Sequence, residues 1–146
     1  MILKLMLSIH PVFQVITTLL ALYVLLLGAA RFRRLHLQQK ILFRWQRHVW
    51  LGTLTLLLWA FGLVLGLFMV KIYWHGFFIT GNHGRGVALL LPLILFGLFS
   101  GWHMHTHKKQ RIILPLIHGG SNLLLIILAL LQASSGWQVY KEFVLG

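Results

Sequence analysis

Four long apolar stretches constrain the fold of this chain more than any other feature of its sequence. Each is an almost uninterrupted run of hydrophobic residues, at 11–30, 49–70, 87–102 and 112–133. A helix of ~20 residues crosses the ~30 Å hydrocarbon core of a bilayer, and the third run reaches that length when residues 84–86 and His103 are added to it. Because backbone groups in lipid must be hydrogen-bonded within their own segment, the four stretches predict helices.

Composition assigns the chain to a membrane. Of its 146 residues, 59% are hydrophobic and 10% are charged, and the mean hydropathy is +0.87. This composition excludes a water-soluble domain of the same size. With short links between successive helices, the sequence predicts an all-α membrane protein that folds as an antiparallel up-and-down four-helix bundle. We expect a single domain over residues 1–146, with transmembrane helices at about 8–30, 43–70, 84–104 and 111–133.

The end of the first stretch also resembles the cleavage site of a signal peptide, because small residues stand at Gly28, Ala29 and Ala30. The basic cluster follows this stretch, whereas a signal peptide has its basic residues before the apolar run. We therefore expect the stretch to remain as the first helix.

Lysine and arginine residues predict the orientation of the bundle. Nine of them fall in the links at residues 31–47 and 108–111, and four fall on the opposite side. The positive-inside rule then places both links in the cytoplasm and both termini outside it, as in a bacterial inner membrane. The formal net charge is +12. Because these basic residues flank membrane helices, we expect membrane lipids with anionic head groups as partners, and no nucleic acid.

Four histidines recur near the starts of the apolar stretches, at separations of 38, 35 and 35 residues: His10, His48, His83 and His118. An ionisable side chain inside a bilayer is energetically costly, so a regular series of them indicates a functional site. Imidazoles in a dry interior are well suited to hold a metal or a haem iron. The chain has no cysteine, which excludes covalently attached c-type haem and thiolate clusters.

The up-and-down topology places these histidines at two levels. His10 and His83 begin the first and third helices on the outer side, and His48 and His118 begin the second and fourth on the inner side. The first and third helices of such a bundle are diagonal partners, as are the second and fourth, so a porphyrin along the axis would find one axial ligand on each partner. His103 lies 20 residues after His83, about 30 Å along a helix. It is therefore an alternative to His118 as an inner ligand.

This arrangement resembles the four-helix core of the cytochrome b561 family and of its shorter bacterial four-helix relatives, whose core helices alternate in supplying axial histidines to two b haems. The resemblance covers nearly the whole chain and is carried by spacing and topology. It implies that His10 and His83 ligate the iron of one haem b, and that His48 and His118 ligate the iron of a second. The two flanking helices of better-known members have no counterpart in this sequence.

Polar neighbours of the histidines are candidate partners for the imidazoles. Gln14 lies one turn after His10, and Asn122 lies one turn after His118. A ligating histidine commonly donates its second ring N–H to such a group. Amide side chains in membrane helices also link helices without any cofactor, so both interpretations stay open.

Arginines close to the histidines are candidate partners for haem propionates. They are Arg44, Arg47 and Arg85. The only acidic residue, Glu142, lies beyond the last apolar stretch, so no carboxylate of the chain competes for these guanidinium groups within the membrane. The same arginines also serve as charges that set topology.

Glycines lie close to three of the histidines in the sequence, at Gly52, Gly86, Gly119 and Gly120. We expect them to let a macrocycle approach the helix backbone, although glycine is also common where membrane helices pack.

Two bis-histidine haems stacked across a bilayer indicate a relay that carries electrons between a quinol or other reductant and a redox partner such as a cytochrome. Six-coordinate iron has no open position for a substrate, so we expect an electron-transfer subunit of an oxidoreductase, within a larger complex or a homo-oligomer. Two alternatives remain: a cofactor-free structural subunit of a membrane complex, and a metal carrier that uses the outer histidines together with His103, His105 and His107. The lack of a carboxylate within the membrane argues against the carrier.

Overall fold

The computed structural model describes residues 2–146, which form helices and connecting turns without any β-strand. The helices are α1 (Ile2–His36), α2 (Trp45–Trp74), α3 (Asn82–Arg85), α4 (Val87–Thr106) and α5 (Ile113–Tyr140), followed by a π-helical segment, Lys141–Leu145. The short α3 continues into α4, so that together they form the third span, Asn82–Thr106. All four spans are long and apolar enough to cross a membrane. The predicted all-α four-helix bundle is confirmed.

The four spans form a closed ring. Helix α1 packs against α2 and α5, and α4 packs against the same two helices from the opposite side. The third span is therefore diagonal to α1, and α5 is diagonal to α2. This is the arrangement that short links between successive antiparallel helices predict.

A small apolar core fills the middle of the ring. It consists of Ala21, Leu56, Trp59, Ile94, Leu125 and Ile126. The Trp59 indole N–H donates a hydrogen bond to Thr18 Oγ1 at 3.4 Å, which links α2 to α1 within this core. Most large aliphatic side chains instead point outward and are exposed in the monomer. On a span that crosses a membrane, that outer surface contacts lipid.

The helices extend further than the apolar stretches predict. Helix α1 runs without a break from Ile2 to His36, through the small residues at 28–30, and α5 continues to Tyr140. The apolar pattern marks only the part of a helix that lies in hydrocarbon. Arginine, leucine and glutamine have good helix propensity, so a helix continues past the lipid until a turn residue ends it.

The link at residues 75–81 positions His83. The end of the bundle that carries this link is called the outer end, and the opposite end the inner end, after the orientation that the sequence predicts. Residue His75 takes a left-handed conformation with φ 56° and ends α2, and Gly81 begins α3 with φ 59°. The side chain of Gln132 on α5 donates to the carbonyl of His83 at 2.7 Å. It lies in the space left by Gly86, where a Cβ would come within 2.6 Å of it. Helix α5 therefore fixes the backbone on both sides of the join between α3 and α4.

Candidate functional site

The structure brings His10 and His83 together at the outer end of the bundle. Their ring centroids are 6.4 Å apart and their planes are inclined at 77°. The two residues come from α1 and α3, on diagonally opposed spans, so neither belongs to the helix next to the other. This is the outer pair that the sequence predicts.

A cavity of about 520 Å³ adjoins this pair. Both imidazoles line it, and it extends inward between the helices as far as Trp59, Ile94 and Leu125. Apart from a few polar groups its walls are apolar, and its volume lies within the ~300–1,000 Å³ typical of ligand and cofactor sites.

The separation of the two rings can be compared with the geometry of an axially ligated metal. A histidine nitrogen lies about 2 Å from its metal, and the ring centre lies about 1 Å beyond that nitrogen, so two opposed imidazoles that share one metal have centroids about 6 Å apart. The observed 6.4 Å between His10 and His83 fits this spacing. The spacing of the rings therefore allows one metal ion between them.

The second pair lies at the inner end. His48 near the start of α2 and His118 near the start of α5 lie at the same end of the bundle, where His48 faces Gly28 and His118 faces Gly101. These helices form the other diagonal of the ring. Each diagonal of the bundle thus carries one histidine pair, and the two pairs lie at opposite ends.

Each of the four imidazoles rests against a glycine on the adjacent helix. A Cβ on that glycine would lie 2.8 Å, 2.8 Å, 3.1 Å and 3.5 Å from the ring's Cε1 in the pairs Gly66–His10, Gly136–His83, Gly28–His48 and Gly101–His118. Real side chains essentially never approach closer than 3.0 Å in this way. The absence of a side chain at Gly66 and Gly136 is therefore what allows the outer histidines to occupy their positions.

The glycines that lie close to the histidines in the sequence do not face the imidazoles in the structure. Gly119 and Gly120 face open space within 4 Å, whereas Gly52 faces Val24 and Gly86 faces Gln132. None of these four glycines faces one of the four imidazoles, and the expectation that they let a macrocycle approach the backbone stays a prediction. A glycine adjacent in the sequence projects to the side of its own helix, and the space beside an imidazole is bounded by the neighbouring helix.

The sequence does contain a signal for the glycines that contact the rings. Every histidine of the set is followed 18 residues later by a glycine, as His10–Gly28, His48–Gly66, His83–Gly101 and His118–Gly136. Eighteen residues make about five helical turns, so the histidine and the glycine share one face at opposite ends of a helix. Two antiparallel helices with this spacing place the histidine of each against the glycine of the other. The bundle consists of two such hairpins: the first is α1 with α2, and the second is the third span with α5.

Three of the four imidazoles have a hydrogen-bond partner at Nδ1. The partners are the Ser100 hydroxyl for His118 at 2.7 Å, the Ser135 hydroxyl for His83 at 3.2 Å and the Val24 carbonyl for His48 at 3.3 Å. Within residues 2–146, no Nε2 of these four rings has a hydrogen-bond partner. An imidazole whose Nδ1 is engaged presents Nε2 as a metal ligand.

His10 differs from the other three. Its Nδ1 is buried and, within residues 2–146, has no hydrogen-bond partner. The carbonyl of Gly62 faces the ring but does not complete a hydrogen bond to that nitrogen. A buried polar atom without a partner is energetically costly, and here it lies beside the outer cavity.

Of the two predicted amide partners, one contacts its histidine. The Asn122 amide donates to the backbone carbonyl of His118 at 2.7 Å and lies 3.4 Å from Nδ1 of the same ring. Gln14 instead packs against Gly62, and within residues 2–146 its Oε1 is buried without a partner. The serines are the shorter contacts of the imidazoles, and sequence reasoning missed both.

The predicted propionate partners lie at the surface. Arg44 and Arg85 are exposed, and the exposed Arg47 donates to the Tyr23 hydroxyl at 3.4 Å. By contrast, Arg31 is half-buried. Its guanidinium lies 5.9 Å from the centroid of the Phe43 ring, and that ring packs against His48 with centroids 5.8 Å apart. Arg31 lies one turn after Gly28 on α1, the glycine that faces His48.

Three of the other five histidines cluster at the inner end of α4. The ring of His103 stacks on Phe99 and on His107, with centroids 6.1 Å and 4.6 Å away. The ring of His105 packs against Trp45 at 5.5 Å, tilted by 36°. Among residues 2–146, no three side chains of the histidine, aspartate or glutamate type come together as a metal-binding group. The described residues therefore offer a metal at most two such side chains at any one place.

No known protein family, curated protein or solved structure matches the chain. The functional argument therefore depends on the histidine pairs, their contacts and the bundle that holds them.

Proposed function

We propose that this protein carries electrons across a membrane and holds two b haems, one between His10 and His83 and one between His48 and His118. The observation that carries the proposal is the convergence of His10 and His83 from diagonal spans at a cavity of about 520 Å³. A second diagonal pair at the opposite end supports it. When bound between two histidines, a b haem takes up and releases one electron and keeps no open coordination position for a substrate.

The polypeptide holds the four imidazoles in place and separates them from bulk water. Four apolar helices hold the imidazoles away from bulk water, and the glycines opposite the rings let each ring pack closely on a helix backbone. Along α1, His10 and Gly28, which contacts the inner His48, are 18 residues apart, so the two levels are separated by about 27 Å. Each pair consequently lies near one face of the membrane, where it can exchange electrons with a partner on that side.

The links between spans are short, so the redox partners meet the protein at the ends of the bundle. A quinol from the lipid phase or a soluble cytochrome suits this geometry, and the chain would work within a larger complex or as a homo-oligomer. The excess of lysine and arginine in residues 31–47 and 108–111 supports a bacterial inner membrane location with both termini outside the cytoplasm.

Electron transfer across vesicles tests this function. The purified, haem-loaded protein is reconstituted into liposomes that contain ferricyanide, and a membrane-impermeant reductant is added outside. We expect the wild type and His103→Ala to reduce the trapped ferricyanide, and His83→Ala to fall to the rate of protein-free vesicles. A wild-type rate equal to that of protein-free vesicles contradicts the proposal and favours a cofactor-free structural subunit.

A further inference from the structure

Two serines contact the histidines of the second hairpin in the same way. Ser100 on α4 reaches Nδ1 of His118 at 2.7 Å, and Ser135 on α5 reaches Nδ1 of His83 at 3.2 Å. Each serine stands one residue before the glycine that faces the same imidazole. The first hairpin has no counterpart, because there His48 has only the Val24 carbonyl.

The direction of these hydrogen bonds follows from the single proton of a serine hydroxyl. The carbonyl of Phe96 lies 2.6 Å from the Ser100 oxygen, and the carbonyl of Gln132 lies 3.1 Å from the Ser135 oxygen, each slightly closer than the ring nitrogen. Because a carbonyl can only accept, we assign the hydroxyl protons to these two carbonyls. Once its proton is used, the hydroxyl oxygen can only accept. The ring nitrogen opposite such an oxygen is then the donor, which puts the proton of the neutral imidazole on Nδ1 and the lone pair on Nε2. At His118 the Asn122 amide also lies 3.4 Å from Nδ1 as a competing donor, but the contact with Ser100 is shorter at 2.7 Å.

We propose that Ser100 and Ser135 are positioning residues that fix the tautomer of His118 and His83 and thereby make Nε2 the ligand atom. The proposal rests on the proposed function for its effect on the haems, but the tautomer is a property of the polypeptide alone. A hydrogen-bonded Nδ1–H also makes an imidazole a stronger electron donor to its metal. One ligand of each proposed haem is therefore tuned by a serine.

The hydrogen bonds that the two serines accept differ in strength. The bond from His118 to Ser100 is shorter than the bond from His83 to Ser135. Ser100 is also 1% exposed, whereas Ser135 is only half-buried. A short hydrogen bond in a dry environment is stronger than a long one that water can reach. We expect Ser100 to have the larger effect, so the inner pair depends on its serine more than the outer pair does.

The tautomer can be measured without any haem. We expect the ring ¹⁵N spectrum of the full-length, haem-free protein in micelles, at a pH that keeps imidazoles neutral, to show His118 and His83 protonated at Nδ1. In Ser100→Ala the signal of His118 alone should change to a mixture of tautomers. Ser121→Ala is the matched control, because its hydroxyl binds the His118 carbonyl at 3.1 Å and not the ring. A His118 signal that is the same in Ser100→Ala and the wild type overturns the proposal.

The haem-loaded protein supplies the second measurement. Loss of a hydrogen bond to a ligand makes it a weaker donor, so Ser100→Ala should raise the midpoint potential of one haem and weaken haem retention by about tenfold. Ser135→Ala should shift the other haem in the same direction by less, and Ser135→Thr, at the more open position, should restore the wild-type value. Unchanged potentials in Ser100→Ala overturn the proposal. If no variant binds haem, the function proposed above fails, and the tautomer measurement still decides the role of the serines.

Discussion

The imidazoles of His10 and His83 meet almost at right angles, 6.4 Å apart, although they stand on diagonally opposed spans of the bundle. Only the folded bundle brings these rings together, because neither lies on the helix next to the other. The cavity beside them and the unpartnered Nδ1 of His10 belong to the same region. The outer end of the bundle therefore contains a cavity lined by both histidines, where we propose that a haem binds.

Substitution of single histidines is expected to remove one haem at a time. His83→Ala removes one axial ligand of the outer pair, and His118→Ala removes one ligand of the inner pair, so each variant should retain about half of the wild-type haem. The measurement is haem content per folded chain. His103→Ala is the control and should keep the full content. If His103→Ala loses haem and His118→Ala does not, the inner pairing is wrong and His103 is the ligand.

The glycines that face the imidazoles provide a graded series of variants. A Cβ at Gly66 would lie 2.8 Å from the ring of His10, whereas a Cβ at Gly101 would lie 3.5 Å from the ring of His118. Overpacking in a close-packed interior costs about 1–3 kcal/mol. We expect Gly66→Ala to lose outer haem and to lower the thermal midpoint of the protein, and Gly101→Ala to have a small effect.

Gly119→Ala is the matched control for this series, since nothing lies within 4 Å of that Cβ position. It should match the wild type in haem content and in thermal midpoint. Equal losses in Gly66→Ala and Gly119→Ala would mean that contact with the imidazole is not the reason for glycine at these positions.

Arg31 should influence the inner pair selectively. Its half-buried guanidinium lies 5.9 Å from the centroid of the Phe43 ring, which packs against His48. A nearby positive charge favours the reduced form of a haem, so Arg31→Gln should lower the midpoint potential of one haem by the equivalent of about 1 kcal/mol, because a partly exposed charge is screened by water. Arg34→Gln, at an exposed position of the same helix, is the control. Equal potentials in the Arg31 variant and the wild type contradict a role at the inner pair.

The orientation of the bundle is testable with reporter fusions. The proposed topology places residue 146 outside the cytoplasm, so alkaline phosphatase fused after that residue should be active and a fluorescent protein that folds only in the cytoplasm should be dark. The same pair of reporters fused within residues 37–44 should give the opposite result. Inverted results at both positions would reverse the sides of the two pairs without changing which histidines are paired.

Much of the architecture follows from the sequence. The apolar stretches predict four spans, and the order of short links predicts that α1 and the third span are diagonal. From these two features alone, His10 can be paired with His83. Helix ends are harder to predict from the sequence. Helix α5 continues to Tyr140 through Ser134, Ser135 and Gly136, which are weak helix formers and give no hydropathy signal.

The contacts of the imidazoles could not be read from neighbours in the chain. The sequence predicts Gln14 as a hydrogen-bond partner of His10, but Gln14 packs against Gly62. Ser135 is far from His83 in the sequence, and its hydroxyl forms a hydrogen bond with the His83 ring. Partners of a side chain inside a bundle come from the adjacent helix, and their identity depends on the vertical register of the two helices. The 18-residue spacing from histidine to glycine specifies that register, and it is the pattern from which these contacts could have been predicted.

The most direct test of the account is the haem content of the purified wild-type protein, produced with ample haem and measured together with its reduced-minus-oxidised absorption spectrum. Two pairs of histidines at opposite ends of one bundle predict two b haems per chain and the sharp bands of six-coordinate b haem. A folded, full-length protein with a featureless spectrum and no bound haem would contradict the central claim, because the four imidazoles would then have a purely structural role.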